Sequence, residues 1–320
     1  MTGTWTRRFF GVTLAGMLAG AVVLTPSTAG AHGTCADHEY QTTDGSHDAD
    51  GDGIGCEGLP PAPSSSPSAP APGVPIGVGG AATKTGGGVW VGYTNGDVHA
   101  VGSAPNHGNA AGEALNAPMV GIAATADGGG YWLLGRDGGV FSYGNASFHG
   151  STGAMTLNQP IVSLAADPKG RGYWFVAADG GIFSFGAPFH GSAGAVPLAQ
   201  PVVGMAPTVT GAGYWLVARD GGIFSYGDAK FSGSTGNIVL NQPIVGMAAD
   251  PDGRGYWFVA ADGGVFSFDA SFHGSGVGSI SAGDSVVGMV AHPKGGYWLI
   301  TAKGGVLAYG AAGGVSRVPA

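Results

Sequence analysis

Tryptophan recurs along most of this chain at an almost constant spacing. Successive members are 41 or 42 residues apart: Trp90, Trp132, Trp174, Trp215, Trp257 and Trp298. A period of this length is typical of architectures that stack one supersecondary unit or arrange it in a ring. The spacing therefore predicts six copies of one unit, over residues 74–320.

Each unit contains four short runs of β-branched and aromatic residues bounded by Gly, Pro or Asp. In the third unit they cover 157–162, 172–176, 182–186 and 188–192. Runs of this length and composition suit strands better than helices. Asp-Gly-Gly between the second and third runs supplies the positive φ angles of a tight hairpin. The same turn recurs with Asp137, Asp179, Asp220 and Asp262.

Four strands per unit, with apolar or small residues on both faces, predict an all-β fold. A six-bladed β-propeller satisfies this pattern, because each blade packs between two others and the ring leaves only short, protected sheet edges. The alternative is a β-solenoid, whose repeats would be about half as long. The Tyr-Trp, Asp-Gly-Gly and Phe-Ser-Phe-Gly motifs resemble repeats common in exported actinobacterial proteins, over about 75–315. That resemblance implies a propeller without a settled activity.

The first 31 residues read as an export signal. Arg7 and Arg8 precede an apolar run, and Ala29-Gly30-Ala31 offers a small-residue cleavage site. The pair of arginines also fits a twin-arginine signal, so both export routes remain open. No later run approaches the twenty apolar residues of a membrane span. We expect a secreted, extracellular monomer.

Two further segments separate this signal from the repeats. Residues 59–73 are rich in Pro, Ala and Ser, which predicts an extended linker. Residues 32–58 form a small acidic module with seven Asp or Glu and no Lys or Arg. The formal net charge of the whole chain is −8, and its few basic residues form no stripe. Nucleic acid is therefore excluded as an expected partner.

Both cysteines of the chain, Cys35 and Cys56, fall in the acidic module. In an exported chain such a pair favours a disulfide over two free thiols. A zinc site that combines them with His32, His38 or His47 is the alternative, although the spacing matches no common zinc pattern.

The clearest ligand-binding motif runs from Asp48 to Glu57. Asp48, Asp50 and Asp52 alternate with small residues, and Gly53 permits a sharp turn. This places hard oxygen donors around one small volume, as Ca²⁺ requires, with the backbone carbonyl of Ile54 as a further ligand. A bound cation would also relieve the repulsion among the aspartates.

This segment resembles the excalibur domain, an extracellular calcium-binding module with the pattern D-x-D-x-D-G-x-x-C-E and an upstream cysteine. The resemblance implies side-chain ligation by Asp48, Asp50, Asp52 and Glu57, and a bridge between Cys35 and Cys56. The chain departs from an EF-hand in that Glu57 closes the loop at position 10 instead of 12.

Within the repeats, polar residues either follow the period or break it. His149, His190 and His273 occupy one place in three units, where the fourth has Ser232; we interpret them as rim groups rather than a metal ring. The first and last units diverge most, and their candidate site residues are Asp97, His107, Asp284 and His292.

Two functions follow from these observations. The favoured interpretation is a non-enzymatic, calcium-binding protein whose propeller binds a cell-wall glycan or an extracellular protein. The alternative is an extracellular polysaccharide hydrolase or lyase with its site at the central mouth of the ring, where the divergent units would meet. Glu113 is the only glutamate beyond Glu57, so a glycosidase would need an aspartate in its catalytic pair.

Overall fold

A computed structural model describes residues 74–316 of the chain. This region contains six antiparallel sheets of three strands, each in sequence order. The strands of the first three sheets are β1 Gly77–Ala82, β2 Gly88–Tyr93, β3 Val98–Gly102; β4 Met119–Ala124, β5 Gly130–Gly135, β6 Val140–Gly144; β7 Ile161–Ala166, β8 Tyr173–Ala177 and β9 Ile182–Phe185. Those of the last three are β10 Val202–Pro207, β11 Gly213–Ala218, β12 Ile223–Gly227; β13 Ile244–Ala249, β14 Tyr256–Ala260, β15 Val265–Phe268; β16 Val286–Ala291, β17 Gly296–Thr301 and β18 Val306–Gly310.

The prediction of an all-β fold built from six repeats of about 42 residues is confirmed. The arrangement is consistent with a β-propeller-like repeat. The first strand of each sheet lies against the first strand of the next, and β16 lies against β1. A backbone hydrogen bond of 2.7 Å from the Gly77 N–H to the Ala302 carbonyl also joins the first sheet to the last. The order of contacts is therefore cyclic. No helix within residues 74–316 is long and apolar enough to cross a membrane.

The prediction of a fourth strand in each unit is wrong. In the third unit, residues 188–192 form no strand, because side chains bind the backbone groups that a strand would pair. The Pro188 carbonyl accepts from Trp174 Nε1, and the Gly191 carbonyl accepts from the Tyr214 hydroxyl. Gly191 also has a φ of 137°, outside the strand region. This run is therefore an irregular segment that leads to the next sheet.

Burial differs from strand to strand within a sheet. The middle strands are completely buried, as in β2, β5 and β8. The third strands are only half-buried, which contradicts the expectation that both of their faces would be covered. No fourth strand lies outside them, so one side remains close to solvent.

The first strands line a central cavity of about 160 Å³. Each of them has a β-bulge at one valine: Val78, Val120, Val162, Val203, Val245 and Val287. Glycine follows this valine in every sheet except the third, where Ser163 stands. A Cβ atom on Gly246 would lie 3.3 Å from the Cα of Gly288 in the next sheet. The strands approach one another closely here, which explains the glycines.

Candidate functional site

A repeated aromatic joint connects each sheet to the next. Trp174 of the third sheet lies 5.6 Å from Tyr214 of the fourth, measured between ring centroids. His190, on the segment between the two sheets, contacts both rings. The joint buries Trp174 and Tyr214 completely. Buried aromatic pairs contribute about 0.5–1.5 kcal/mol beyond the burial of their area, so these joints hold adjacent sheets together.

The hydroxyl of the joint tyrosine fastens the intervening segment to the following sheet. Tyr173 donates a 2.6 Å hydrogen bond to the Gly150 carbonyl oxygen and accepts one of 3.0 Å from the His149 N–H. We call the five tyrosines that donate in this way the clip tyrosines: Tyr131, Tyr173, Tyr214, Tyr256 and Tyr297. Burial raises the pKa of Tyr131 to about 12 and raises the pKa of the other four.

The joint explains the repeated histidines. His149, His190 and His273 lie on three different intervening segments, each against a Trp and a clip tyrosine. Within residues 74–316 no group of three His, Cys, Asp or Glu side chains is arranged to hold a metal ion. The Asp-Gly-Gly aspartates are turn residues, as predicted; Asp179 Oδ1, for example, accepts from the Gly181 N–H at 2.9 Å.

Next to each joint, a phenylalanine projects into solvent. These rim phenylalanines immediately precede the histidine or serine of the joint and are 59–66 % exposed: Phe148, Phe189, Phe231 and Phe272. Their exposure follows from the local geometry, because the residue after each of them is held by a clip tyrosine through its backbone N–H. The sequence contained the signal, a Phe at a fixed offset from each Trp, but did not indicate which aromatic residues of the repeat would be exposed.

Asp97 and His107, the candidate residues of the first sheet, make local contacts. Asp97 Oδ2 lies 3.0 Å from His99 Nε2, and Asp97 Oδ1 accepts from the Asn109 side chain at 2.9 Å. His107 occupies the joint position between Trp90 and Tyr131, with centroid distances of 5.8 Å to both. Its Nε2 atom is buried and has no hydrogen-bond partner among the described residues.

Asp284 and His292, the candidates of the last sheet, also have structural contacts. Asp284 Oδ1 accepts from the backbone N–H groups of Ser285 and Lys303. His292 is 4 % exposed, and its Nε2 faces the carbonyl oxygen of Gly86 in the first sheet. Among residues 74–316, none of the hydrogen bonds or ring contacts of the four candidates joins one candidate to another. A catalytic role for them remains a prediction.

A buried ion pair in the third sheet was not predicted. The Asp167 side chain is fully buried, and both its oxygens bind the Arg171 guanidinium. Arg171 Nη2 also donates to the Gly211 carbonyl of the fourth sheet at 2.9 Å. The fifth sheet repeats the same sequence pattern, but there Arg254 lies 4.0 Å from Asp252 instead of binding the buried Asp250. Sequence alone does not distinguish the two turns.

A second polar cluster surrounds Asp127 on the turn between β4 and β5. Hydrogen bonds from the Thr125 hydroxyl, the Gly129 N–H and the Asn145 amide lower the pKa of Asp127 to about 2. These donors are all local, so the cluster orders the turn.

The predicted calcium ligands lie outside the described residues. This holds for Asp48, Asp50, Asp52, Ile54 and Glu57, and for Cys35 and Cys56. The signal segment, the acidic module and the linker lie outside them as well.

Comparison with protein families found no match for this chain, and comparison with curated proteins found none either. The functional argument therefore depends on the chain's own residues.

Proposed function

We propose that this protein is a secreted, monomeric, non-enzymatic binding protein whose six sheets form a six-bladed β-propeller. The propeller binds an extracellular or cell-wall ligand, and an N-terminal module binds Ca²⁺. The cyclic order of the sheets supports the propeller, in which each three-stranded sheet with its trailing segment is one blade. The acidic loop from Asp48 to Glu57 supports the calcium module.

The observation that carries the binding function is the row of rim phenylalanines. Large apolar side chains in the strands of this fold are buried, whereas these four remain about 60 % exposed at one position in consecutive repeats. Repeated apolar exposure favours an interaction surface. Aromatic rings present a flat apolar face, which suits the C–H face of a sugar ring.

A polymeric glycan fits this row better than a single compact ligand does. The four side chains are equivalent and are held by equivalent backbone hydrogen bonds. A polymer with a repeating unit can occupy several such positions at once. Each contact can then be weak, because every later contact forms at a high effective concentration.

The test is cosedimentation of the mature protein, residues 32–320, with insoluble bacterial cell walls. Replacing all four rim phenylalanines by serine is expected to weaken binding by at least about tenfold, since the contacts act together. A control variant carries Val209→Ser and Val277→Ser, which remove exposed apolar side chains outside the row. If the phenylalanine variant binds as the control does, the row is not the binding surface.

The same assay separates the two modules. Retention of the unmodified protein in the presence of a calcium chelator would assign binding to the propeller. Release by the chelator, together with full binding by the phenylalanine variant in Ca²⁺, would assign binding to the acidic module instead.

A further inference from the structure

A groove opens at the turn between β11 and β12, away from the rim phenylalanines. Its volume is about 260 Å³. We call it the Arg219 groove, and its lining residues are Gln200, Arg219, Asp220, Ile238, Leu240 and Pro243. This volume lies just below the range of pockets for drug-sized ligands, so it suits one small molecule or one residue of a polymer.

The backbone of the groove is fixed by hydrogen bonds. The Arg219 N–H donates to the Pro201 carbonyl at 2.9 Å, and the Arg219 carbonyl accepts from the Ile244 N–H at 3.0 Å. Arg219 is thereby held between the segments that lead into β10 and β13. Asp220 Oδ1 accepts from the Gly222 N–H at 2.9 Å, which sets the position of the adjacent carboxylate. Both charged groups therefore project from a rigid turn.

The two charges of the groove do not neutralise each other. The ion pairs of the described region are Asp97–His99, Asp167–Arg171 and Asp252–Arg254. Arg219 takes part in none of them, and its side chain is exposed. Asp220 uses one oxygen in the turn, and its Oδ2 has no hydrogen bond to another residue of that region. A guanidinium and a carboxylate oxygen are therefore both available to a ligand.

The rest of the groove is largely apolar. Ile238 is 53 % exposed, and Leu240 and Pro243 are half-buried beside it. The exposed amide of Gln200 adds one neutral hydrogen-bonding group. A ligand that fits this surface has an apolar body and two opposite charges at one end.

The repeat provides an internal comparison for this site. Arg136 and Asp137 occupy the equivalent turn between β5 and β6, with the same backbone hydrogen bonds to Pro118 and Ile161. Ala117 stands there in place of Gln200, and Met155 in place of Ile238. The turns after β8 and β14 have Ala178 and Ala261 in place of Arg219, and so lack the guanidinium. Among the described repeats, only the fourth combines the arginine with the amide.

From these observations, we propose that the Arg219 groove binds a small zwitterion with an apolar side chain, such as an aliphatic α-amino acid. Arg219 binds the ligand carboxylate, because its planar fork of N–H donors matches a carboxylate. The Asp220 carboxylate accepts hydrogen bonds from the ligand ammonium group. The ligand side chain packs on Ile238, Leu240 and Pro243. This site is independent of the rim phenylalanines, so either proposal can fail alone.

The test uses the mature protein with ¹³C-labelled isoleucine methyl groups, titrated with leucine and followed by NMR. A saturable shift of the Ile238 methyl signals is expected. Glycine, N-acetylleucine and leucinamide each lack one recognised group, and each is expected to bind at least about tenfold more weakly, the loss that corresponds to about 1.4 kcal/mol.

Two variants test the charges separately. Arg219→Gln removes the guanidinium, and Asp220→Asn removes the negative charge while keeping an oxygen for the Gly222 N–H. Each is expected to weaken leucine binding by about tenfold or more. Arg136→Gln, the matched control, is expected to change it less than about twofold. Equal binding of N-acetylleucine and leucine, an equal effect of Arg136→Gln and Arg219→Gln, or no saturable shift with leucine would each overturn the proposal.

Discussion

The Nε2 atom of His292 lies 3.2 Å from the carbonyl oxygen of Gly86, and this contact joins the sixth sheet to the first. His292 is buried, packs on Trp298 at 5.0 Å between centroids, and accepts the Lys294 N–H at Nδ1. Because Nδ1 is an acceptor, the ring proton belongs on Nε2, which can then donate to Gly86. The closing contact of the ring therefore depends on one imidazole.

We expect His292→Ala to lower the free energy of unfolding by about 2–3 kcal/mol. The change removes a buried hydrogen bond and leaves a cavity against Trp298. Urea unfolding of the mature protein measures the effect. Lys294→Ala, on the same turn and exposed, is the control and should change stability by less than about 0.5 kcal/mol. Equal stability of the two variants would show that His292 does not hold the ring closed.

Removing the hydroxyl of one clip tyrosine should destabilise the protein without emptying the joint. Tyr173→Phe leaves the ring in place but leaves the Gly150 carbonyl and the His149 N–H without their partner. Loss of these hydrogen bonds is expected to cost about 1–3 kcal/mol, measured as a lower urea midpoint. Tyr143→Phe is the control, since the Tyr143 hydroxyl makes no hydrogen bond to another residue of the described region. A similar loss in both variants would contradict the clip.

The raised pKa values of the clip tyrosines predict a loss of stability in alkali. Tyrosines of the unfolded chain ionise with a pKa of about 10, whereas burial raises the pKa of Tyr131 in the folded protein to about 12. Between these values the unfolded chain binds fewer protons than the folded protein. The free energy of unfolding therefore falls as pH rises from about 10 to about 12. Denaturant unfolding across this window measures the slope, which should be shallower in Tyr131→Phe.

The two Asp-Pro-x-Gly-Arg-Gly turns should respond differently to loss of their arginines. Arg171→Gln removes the charged partner of the fully buried Asp167 and the hydrogen bond to Gly211. We expect a loss of about 2–4 kcal/mol, because an uncompensated carboxylate remains buried. Arg254→Gln breaks only a long, exposed contact with Asp252 and should cost less than about 1 kcal/mol. Equal losses would mean that the Asp167 pair adds nothing specific.

The repeat length and the local turn chemistry could be predicted from the sequence because both depend on nearby residues. Asp179 binds the N–H of Gly181, only two residues away, so the motif itself indicates the turn. The fourth strand could not be judged in this way. Its backbone in the third repeat is bound by Trp174 and Tyr214, whose side chains arrive from 14 to 24 residues away.

The surfaces proposed for binding were hidden for a related reason. Phe189 and Tyr214 are both aromatic residues at fixed places in the repeat, but only the packing between sheets shows that Phe189 is exposed and Tyr214 is buried. The Arg219 groove likewise depends on Gln200 and Ile238, which are 38 residues apart in the sequence. The acidic loop is the opposite case, since its proposed ligands from Asp48 to Glu57 are contiguous.

The calcium module gives the last prediction. Calorimetry of the mature protein with Ca²⁺ should show saturable binding, because Asp48, Asp50 and Asp52 place several hard oxygen donors in one short loop. Asp50→Ala removes a central carboxylate and restores part of the repulsion that the cation relieves, so binding should weaken by at least about tenfold. Asp44→Ala is the matched control, since it removes one carboxylate from the same acidic module outside the loop. An equal effect of the two substitutions would mean that the acidic segment attracts cations only through its net charge, and absence of any heat in the unmodified protein would refute the calcium site.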